Sequence, residues 1–228
     1  MLADSFAPKD DYYESQIEQI LGHIVSCYNL MLVDNEPIIS NENKIRNRIV
    51  KRYLKNHKVK NKIGIQGFRF SAEEAIIDAN DDEVGYTDIQ VIMEHEFDND
   101  DVFFVLECKL LDGRGDLSKS NFNGKYITNG VMRFTTPIPP KTIPKYPSNL
   151  RVNGMIGFCI EKFNIHENSI VKLNQHLNKW CPNETLTPLT QEVFIENFGY
   201  TYISSHYTIP LKKDFKLYHL MLDTSSLH

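Results

Sequence analysis

Between Val102 and Leu111 every residue is apolar except Glu107 and Lys109. A strand with so little alternation is covered on both faces. Ionised groups inside such a strand are costly unless they are paired or bind a metal. This run therefore calls for a layered fold around a buried sheet, with charge concentrated at one place in it. A second run, Tyr86 to Glu94, is also rich in strand-forming residues, and the turn-forming Asp98-Asn99-Asp100 separates the two. Together they read as a hairpin.

Side chains alternate faces along a strand, so Glu107 and Lys109 point one way and Cys108 the other. Asp88, Gln90 and Ile92 share a face of the first strand. A turn centred between Phe97 and Asp98 sets Asp88 opposite Glu107, and a centre one residue further on sets it opposite Lys109. Either register brings the three groups within reach, because directly opposed Cβ atoms are about 5 Å apart. One reading of the patch is a cross-strand salt bridge on a solvated face. The other is phosphodiester chemistry. Carboxylate oxygens are hard ligands suited to Mg²⁺ or Mn²⁺, and such a metal polarises a phosphate and acidifies a bound water. Lys109 is then placed to orient that water, assist its deprotonation or stabilise negative charge. The apolar flanks favour the second reading.

Asp88, an 18-residue spacer and Glu107-Cys108-Lys109 resemble the PD-(D/E)xK signature of restriction-endonuclease-like nucleases. Thr87 stands where that signature has proline. Members usually carry a further acid on a helix before the sheet, and Glu42 in Ser40-Asn41-Glu42-Asn43-Lys44-Ile45-Arg46 matches it. The segment with Lys125-Tyr126, Gly130 and Arg133-Phe134 is similar to the Tyr…Gly…Arg-Phe helix of some members. The run Gly154 to Phe158 is similar to the strand that follows that helix. The resemblance implies an α/β fold of restriction-endonuclease-like type, three layers with a central mixed β-sheet flanked by α-helices. It also implies Mg²⁺- or Mn²⁺-dependent cleavage of nucleic acid, DNA ahead of RNA, in defence, repair or effector roles. Asp88 and Glu107 would bind the metal, the Cys108 backbone carbonyl would complete its coordination, Lys109 would assist the water, and Glu42 would be an accessory acid. The alternative is a non-catalytic nucleic-acid-binding or regulatory subunit on the same fold, and in either case a partner protein could supply target choice.

Around this centre, helical spacing of Ile17, Ile20, Leu21, Ile24 and Tyr28 predicts a helix over residues 12–30. A second helix is expected from Ser40, as N-cap, to about Asn56. Glu42 sits at its start, where the helix dipole favours a carboxylate. Extended segments are expected at about 63–70 and 73–78, a helix from Leu117 to Phe134, and a Pro-rich connection from Pro137 to Pro147. A strand from Val152 to Ile160, a helix over 164–180 and strands at about 199–208 and 215–223 complete the reading. Without repeats or a convincing boundary, residues 1–228 are taken as a single domain: a helical segment over about 12–56, a core over about 63–160 and a C-terminal helix and strands over about 164–223.

Nine Lys/Arg and no acid occupy Lys44 to Lys62, whereas ten Asp/Glu and no Lys or Arg occupy Asp78 to Asp101. The basic block, with Arg46 and Lys51 on its helix, is a candidate contact for a phosphate backbone, and part of the acidic block a candidate cation holder. Tyr126, Gly130 and Arg133 share one helix face. Tyr126 and Arg133 are either substrate contacts or, respectively, core and the partner of an acid. His95, His206 and His219 read as satisfied structural histidines, and Trp180 as packing. The four scattered cysteines read as reduced, buried thiols. No apolar run approaches the roughly 18 residues of a membrane span, and the N-terminus lacks a signal pattern, so a cytoplasmic location is expected.

Overall fold

The structure, a computed structural model, describes residues 10–77, 83–94, 102–114, 116–137, 144–146, 150–209 and 212–228. His95 and the Asp98-Asn99-Asp100 turn lie outside them. The apolar stripe of α1 (Asp10–Asp34) is fully covered, with Ile17, Ile20, Leu21 and Ile24 all buried. The next helix, α2 (Glu42–Arg48), starts one residue later than expected. Asn41, not Ser40, is the N-cap, because its side-chain oxygen accepts the Lys44 N–H at 3.1 Å. The helix widens into a π-helical turn over Ile49–Leu54. A further helix, α3 (His57–Ile63), then occupies a stretch that offers no helical pattern, since none of its residues is buried. Asn56 caps it, and Gly64 closes it in the left-handed region.

The expected strand from Tyr86 to Glu94 is broken in two. Strands β2 (Ala75–Ile77) and β3 (Glu83–Tyr86) form a small antiparallel hairpin of their own. After Thr87 and Asp88 the chain enters the main sheet as β4 (Ile89–Met93), between β1 (Phe68–Ala72) and β5 (Phe103–Leu111). The helix expected from Leu117 begins only at Phe122, where Asn121 provides the cap. It comprises α4 (Phe122–Tyr126), a π-helical turn over Ile127–Val131 and α5 (Met132–Thr135). Then follow β6 (Val152–Cys159), a π-helical turn over Ile165–Ile170 leading into α6 (Val171–Trp180), β7 (Thr185–Gln191), β8 (Thr201–Thr208) and β9 (Lys213–Asp223). Strand β7 is absent from the sequence reading because Pro188 interrupts it. It lies at the sheet edge, with an irregular register, which is where a strand tolerates proline.

The seven strands run in the order β1-β4-β5-β6-β9-β8-β7. Strands β5, β6 and β9 are mutually parallel, and the outer pairs are antiparallel. This is a mixed α/β architecture with helices on both faces. Along β5, Phe104, Leu106, Cys108 and Leu110 join one core with α1 and α2, whereas Val105 and Leu111 join a second core with α4, α5 and α6. Glu107 and Lys109 therefore occupy the two middle places of the row that faces the second core. All four cysteines are free and buried. Among the described residues no helix is long and apolar enough to cross a membrane.

A buried polar chain ties α4 to strands β8 and β9 on the face of the sheet that it covers. The Tyr126 hydroxyl lies 2.9 Å from His219 Nδ1, and Ser204 Oγ lies 2.7 Å from both His219 Nε2 and His206 Nε2. Nδ1 of His206 has no hydrogen-bond partner among the described residues. Burial holds His219 well below the ordinary histidine range and His206 down to about 3. Both rings are neutral, structural members of the core; His219 is satisfied at both nitrogens, as expected, whereas His206 is satisfied only at Nε2 among the described residues.

The unfolded chain takes up protons on these rings below about pH 6.5 and the folded one does not, so each ring withdraws stability as pH falls from there. At pH 5 the loss is about 2 kcal/mol per ring. In urea denaturation, the stability difference between the native protein and His206→Gln should shift by about 2 kcal/mol, to the disadvantage of the native protein, between pH 7.5 and pH 5. A pH-independent difference would contradict a neutral buried ring.

Candidate functional site

Strand β4 pairs with β5 only from Ile92↔Phe103 to Ile89↔Leu106. One further step of that register sets Asp88 opposite Glu107, the alignment given by a turn centred between Phe97 and Asp98. Strand β5, paired with β6 on its other edge, continues to Leu111. Beyond Leu106 its β4-side edge therefore has no strand beside it among the described residues. Asp88 sits at the corner where the chain leaves the β2–β3 hairpin, and its carboxylate takes over: Oδ2 accepts the Cys108 N–H at 2.8 Å. The N–H and C=O of one strand residue point to the same side, and the Cys108 carbonyl accepts Lys109 Nζ at 2.5 Å.

Lys109 is the centre of the cluster. Its ammonium lies 2.6 Å from Glu107 Oε1, 2.9 Å from Glu42 Oε1 and 3.5 Å from Asp88 Oδ2. Glu42 arrives from the first turn of α2, so that helix and the β5 edge meet on one ammonium. Glu107 has no exposed surface. Besides Lys109 it is bound by Arg133 at Oε1 and by the Tyr146 hydroxyl at Oε2. Arg133 Nη1 also donates to the Tyr146 oxygen at 3.2 Å. Gly130 makes this approach possible: a Cβ there would stand 2.5 Å from Met155 Cε and 3.5 Å from Lys109 Cγ.

The second arginine of the cluster is Arg46. It is buried, and its guanidinium bridges Asp88 at 2.7 Å and Glu73 at 2.5 Å. Arg46 lines the cleft, yet its guanidinium is engaged by Asp88, Glu73 and the Asn47 side-chain oxygen, which sets it among the acids of the cluster and not along a substrate backbone. Of the two roles left open for Tyr126, the geometry fits core packing. It is fully buried and faces His219, so it is core and does not reach the site. Arg133 is the partner of an acid, Glu107, and also lines the cleft. Lys51 is exposed but is not among the residues lining the cleft. Of the acidic block, Glu83, Asp88 and Glu94 are described, and Asp88 alone of these belongs to the cluster.

Above the cluster opens a cleft of about 650 Å³, floored by Asp88 and Lys109 and walled by Glu42, Glu73, Tyr86 and Lys145. Burial pushes Glu107 up to about 7, with Asp88 adding to the rise and Lys109 and Arg133 opposing it. Burial also disfavours the Lys109 ammonium, yet Glu107, Asp88 and Glu42 outweigh it and carry Lys109 above the ordinary lysine range. The two partners thus shift the same way. Desolvation wins at the fully enclosed carboxylate, and attraction wins at the cation with three acids around it. At Asp88 burial is likewise overcome, by Lys109, the Cys108 N–H, Arg46 and Arg133, and its carboxyl is held below the usual range.

Tyr146 and Glu73 belong to the site but carry no sequence signal of it. Tyr146 sits in the Pro-rich connection, where no periodicity assigns a face. Glu73 follows β1 in a left-handed conformation, with φ of 61°, and only the fold brings it to Arg46. Among the described residues, no group of three or more His, Cys, Asp or Glu side chains is spaced to hold a metal ion. The acids are spaced instead around the Lys109 ammonium.

Removing one partner of a buried ion pair strands the other charge, which costs roughly 3 kcal/mol. Lys109→Met should therefore destabilise the fold by about that amount, whereas Glu107→Gln should cost less, because Lys109 keeps Glu42 and Asp88 and the burial penalty on the Glu107 charge is relieved. Combining the two should recover at least 1 kcal/mol relative to additivity in urea denaturation. Strict additivity would contradict a direct Glu107–Lys109 coupling.

No protein-family model, no curated protein and no solved structure matches this chain.

Proposed function

We propose that the protein is a metal-dependent phosphodiesterase acting on nucleic acid, DNA ahead of RNA, and that its sheet is of restriction-endonuclease-like type. The observation that carries this reading is the convergence of oxygen atoms from Glu42, Asp88, Glu107 and the Cys108 carbonyl on one cationic point in an open cleft. The element order supports the fold assignment. The antiparallel β4–β5 pair carrying Asp88 and Glu107-Cys108-Lys109 is followed by the α4–α5 helix and then by β6 parallel to β5, the order that the resemblance implies.

The donor set fits a hard divalent cation in kind, being all oxygen. Asp88, Glu107 and the Cys108 carbonyl would hold it, with Glu42 beside them. When bound, Mg²⁺ or Mn²⁺ supplies polarisation of a phosphate and an acidified water. The Lys109 ammonium now sits among these oxygens, and it would have to give up that place for a cation to be held there, since two cations cannot share one point. The displaced ammonium would stand at the cleft floor, free to orient the attacking water or to stabilise charge on the phosphate oxygens. Arg133 and Tyr146 keep Glu107 oriented throughout. The exposed lysines of the basic block, Lys44, Lys51, Lys55, Lys58 and Lys62, would meet backbone phosphates at the protein surface.

A second reading is supported by the same cluster. Asp88 and Glu107 each already face two cations, Arg46 and Lys109 for the first and Lys109 and Arg133 for the second. A charge-neutralised cluster of this kind also suits a non-catalytic nucleic-acid-binding or regulatory subunit.

Incubation with supercoiled plasmid and single-stranded DNA, with and without Mg²⁺ or Mn²⁺, separates the two. Metal-dependent nicking should appear, and both Asp88→Asn and Lys109→Ala should lose it by at least a hundredfold, the order of a lost general-acid/base or charge-stabilising group. Full nicking by either variant sinks the catalytic assignment, and binding without cleavage under every condition favours the second reading.

A further inference from the structure

Four cations surround the acids of the cleft, and three of them are bound to carboxylates: Arg46, Lys109 and Arg133. Lys145 is different. Among the described residues its ammonium has no carboxylate partner. It donates instead to the Tyr86 backbone carbonyl at 2.9 Å and lies 5.1 Å from the centre of the Tyr146 ring. Burial and the nearby Arg133 guanidinium push it below the ordinary lysine range, so its charge is incompletely compensated where it stands.

The seat of this lysine is built into the fold. Gly85 has a φ of 141°, and a Cβ there would stand 2.5 Å from Lys145 Cε and 3.1 Å from Nζ. The bare backbone of β3 at Gly85 lets the lysine stem lie across it, with the ammonium at the cleft wall. The next residue, Tyr146, anchors the segment through Glu107. An ordinary surface lysine loses rotamer freedom when it grips a ligand. Lys145 has already given up much of that freedom.

We propose that Lys145 is the anion-binding residue of this cleft and takes a backbone phosphate of the bound substrate. The proposal rests on the phosphodiesterase reading. A held ammonium with a carbonyl behind it and open space before it can accept a phosphate oxygen as a point charge. The acids on the floor would repel the same phosphate, so the wall cation sets how far the substrate can enter.

The test is binding of a labelled duplex oligonucleotide with Ca²⁺ in place of Mg²⁺, followed by anisotropy between about 50 and 200 mM salt. Lys145→Gln should weaken binding about tenfold and flatten the salt slope by about 0.9, the value of one phosphate contact. Lys145→Arg should restore both, and unchanged thermal melting of the variants shows that the fold persists. Equal affinity and slope for the native protein and Lys145→Gln overturn the proposal and leave the phosphodiesterase reading standing. If the native protein binds no oligonucleotide, that reading is what fails, and calorimetric titration with inorganic pyrophosphate decides Lys145 separately. Binding lost in Lys145→Gln upholds an anion site, and no binding or no difference overturns it.

Discussion

A carboxylate with none of its surface in water must be neutralised where it stands, and Glu107 is such a group at the middle of the central strand. Much of the surrounding structure answers to that requirement. Lys109, two residues along the same face, supplies one cation, and Arg133, brought across the sheet by the helix after β5, supplies another. The Tyr146 hydroxyl satisfies the remaining oxygen. The close approach of that helix depends on Gly130, whose missing side chain leaves room for Lys109 and Met155. A buried ion pair of this kind contributes little net stability compared with apolar packing of the same volume. The energetic cost of Glu107 in the core is thus a reason to look for a role beyond folding.

The position of the cluster follows from unequal strand lengths. Strand β4 stops at Ile89 while β5 runs on to Leu111, and the exposed length of backbone edge has to find other partners. Asp88 takes the Cys108 N–H and Lys109 takes its carbonyl. Splitting the β3–β4 run at Thr87 and Asp88 is what turns a strand residue into a corner residue able to do this. The edge left by β4 is also where α2 can insert Glu42. Sheet termination, helix placement and charge concentration are consequences of one local event.

Much of this was legible in the residues. Period-2 geometry, the apolar flanks of Glu107 and Lys109 and the count across the hairpin bring Asp88, Glu107 and Lys109 together, whereas Glu42 is nominated by the family resemblance, its helix-start position being explained by the dipole alone. What escaped has physical causes. Helix α3 lays only Val59 and Ile63, both half-buried, against the core, which is too short a stripe to read, and β7 carries a proline that only an edge position excuses. Tyr146 and Glu73 reach the cluster through loops, whose course no side-chain periodicity encodes. Arg46 lay in a run of basic residues that resembles a solvated face, and only the tertiary fold turns that one arginine inward. Helical spacing puts Tyr126 on one face with Arg133, yet about two turns separate them, one of them π-helical, and Tyr126 lies against His219 in the core.

Whether the oxygen cluster around Lys109 accepts a divalent cation separates a catalytic centre from a charge-neutralised one. The most direct measurement is an anomalous difference map from crystals of the protein soaked in Mn²⁺. A peak about 2.1 Å from carboxylate oxygens of Asp88 and Glu107 and from the Cys108 carbonyl, with the Lys109 ammonium moved out of the cluster, is the predicted result. Lys109 still seated among the three acids, with no peak beside them, would contradict it.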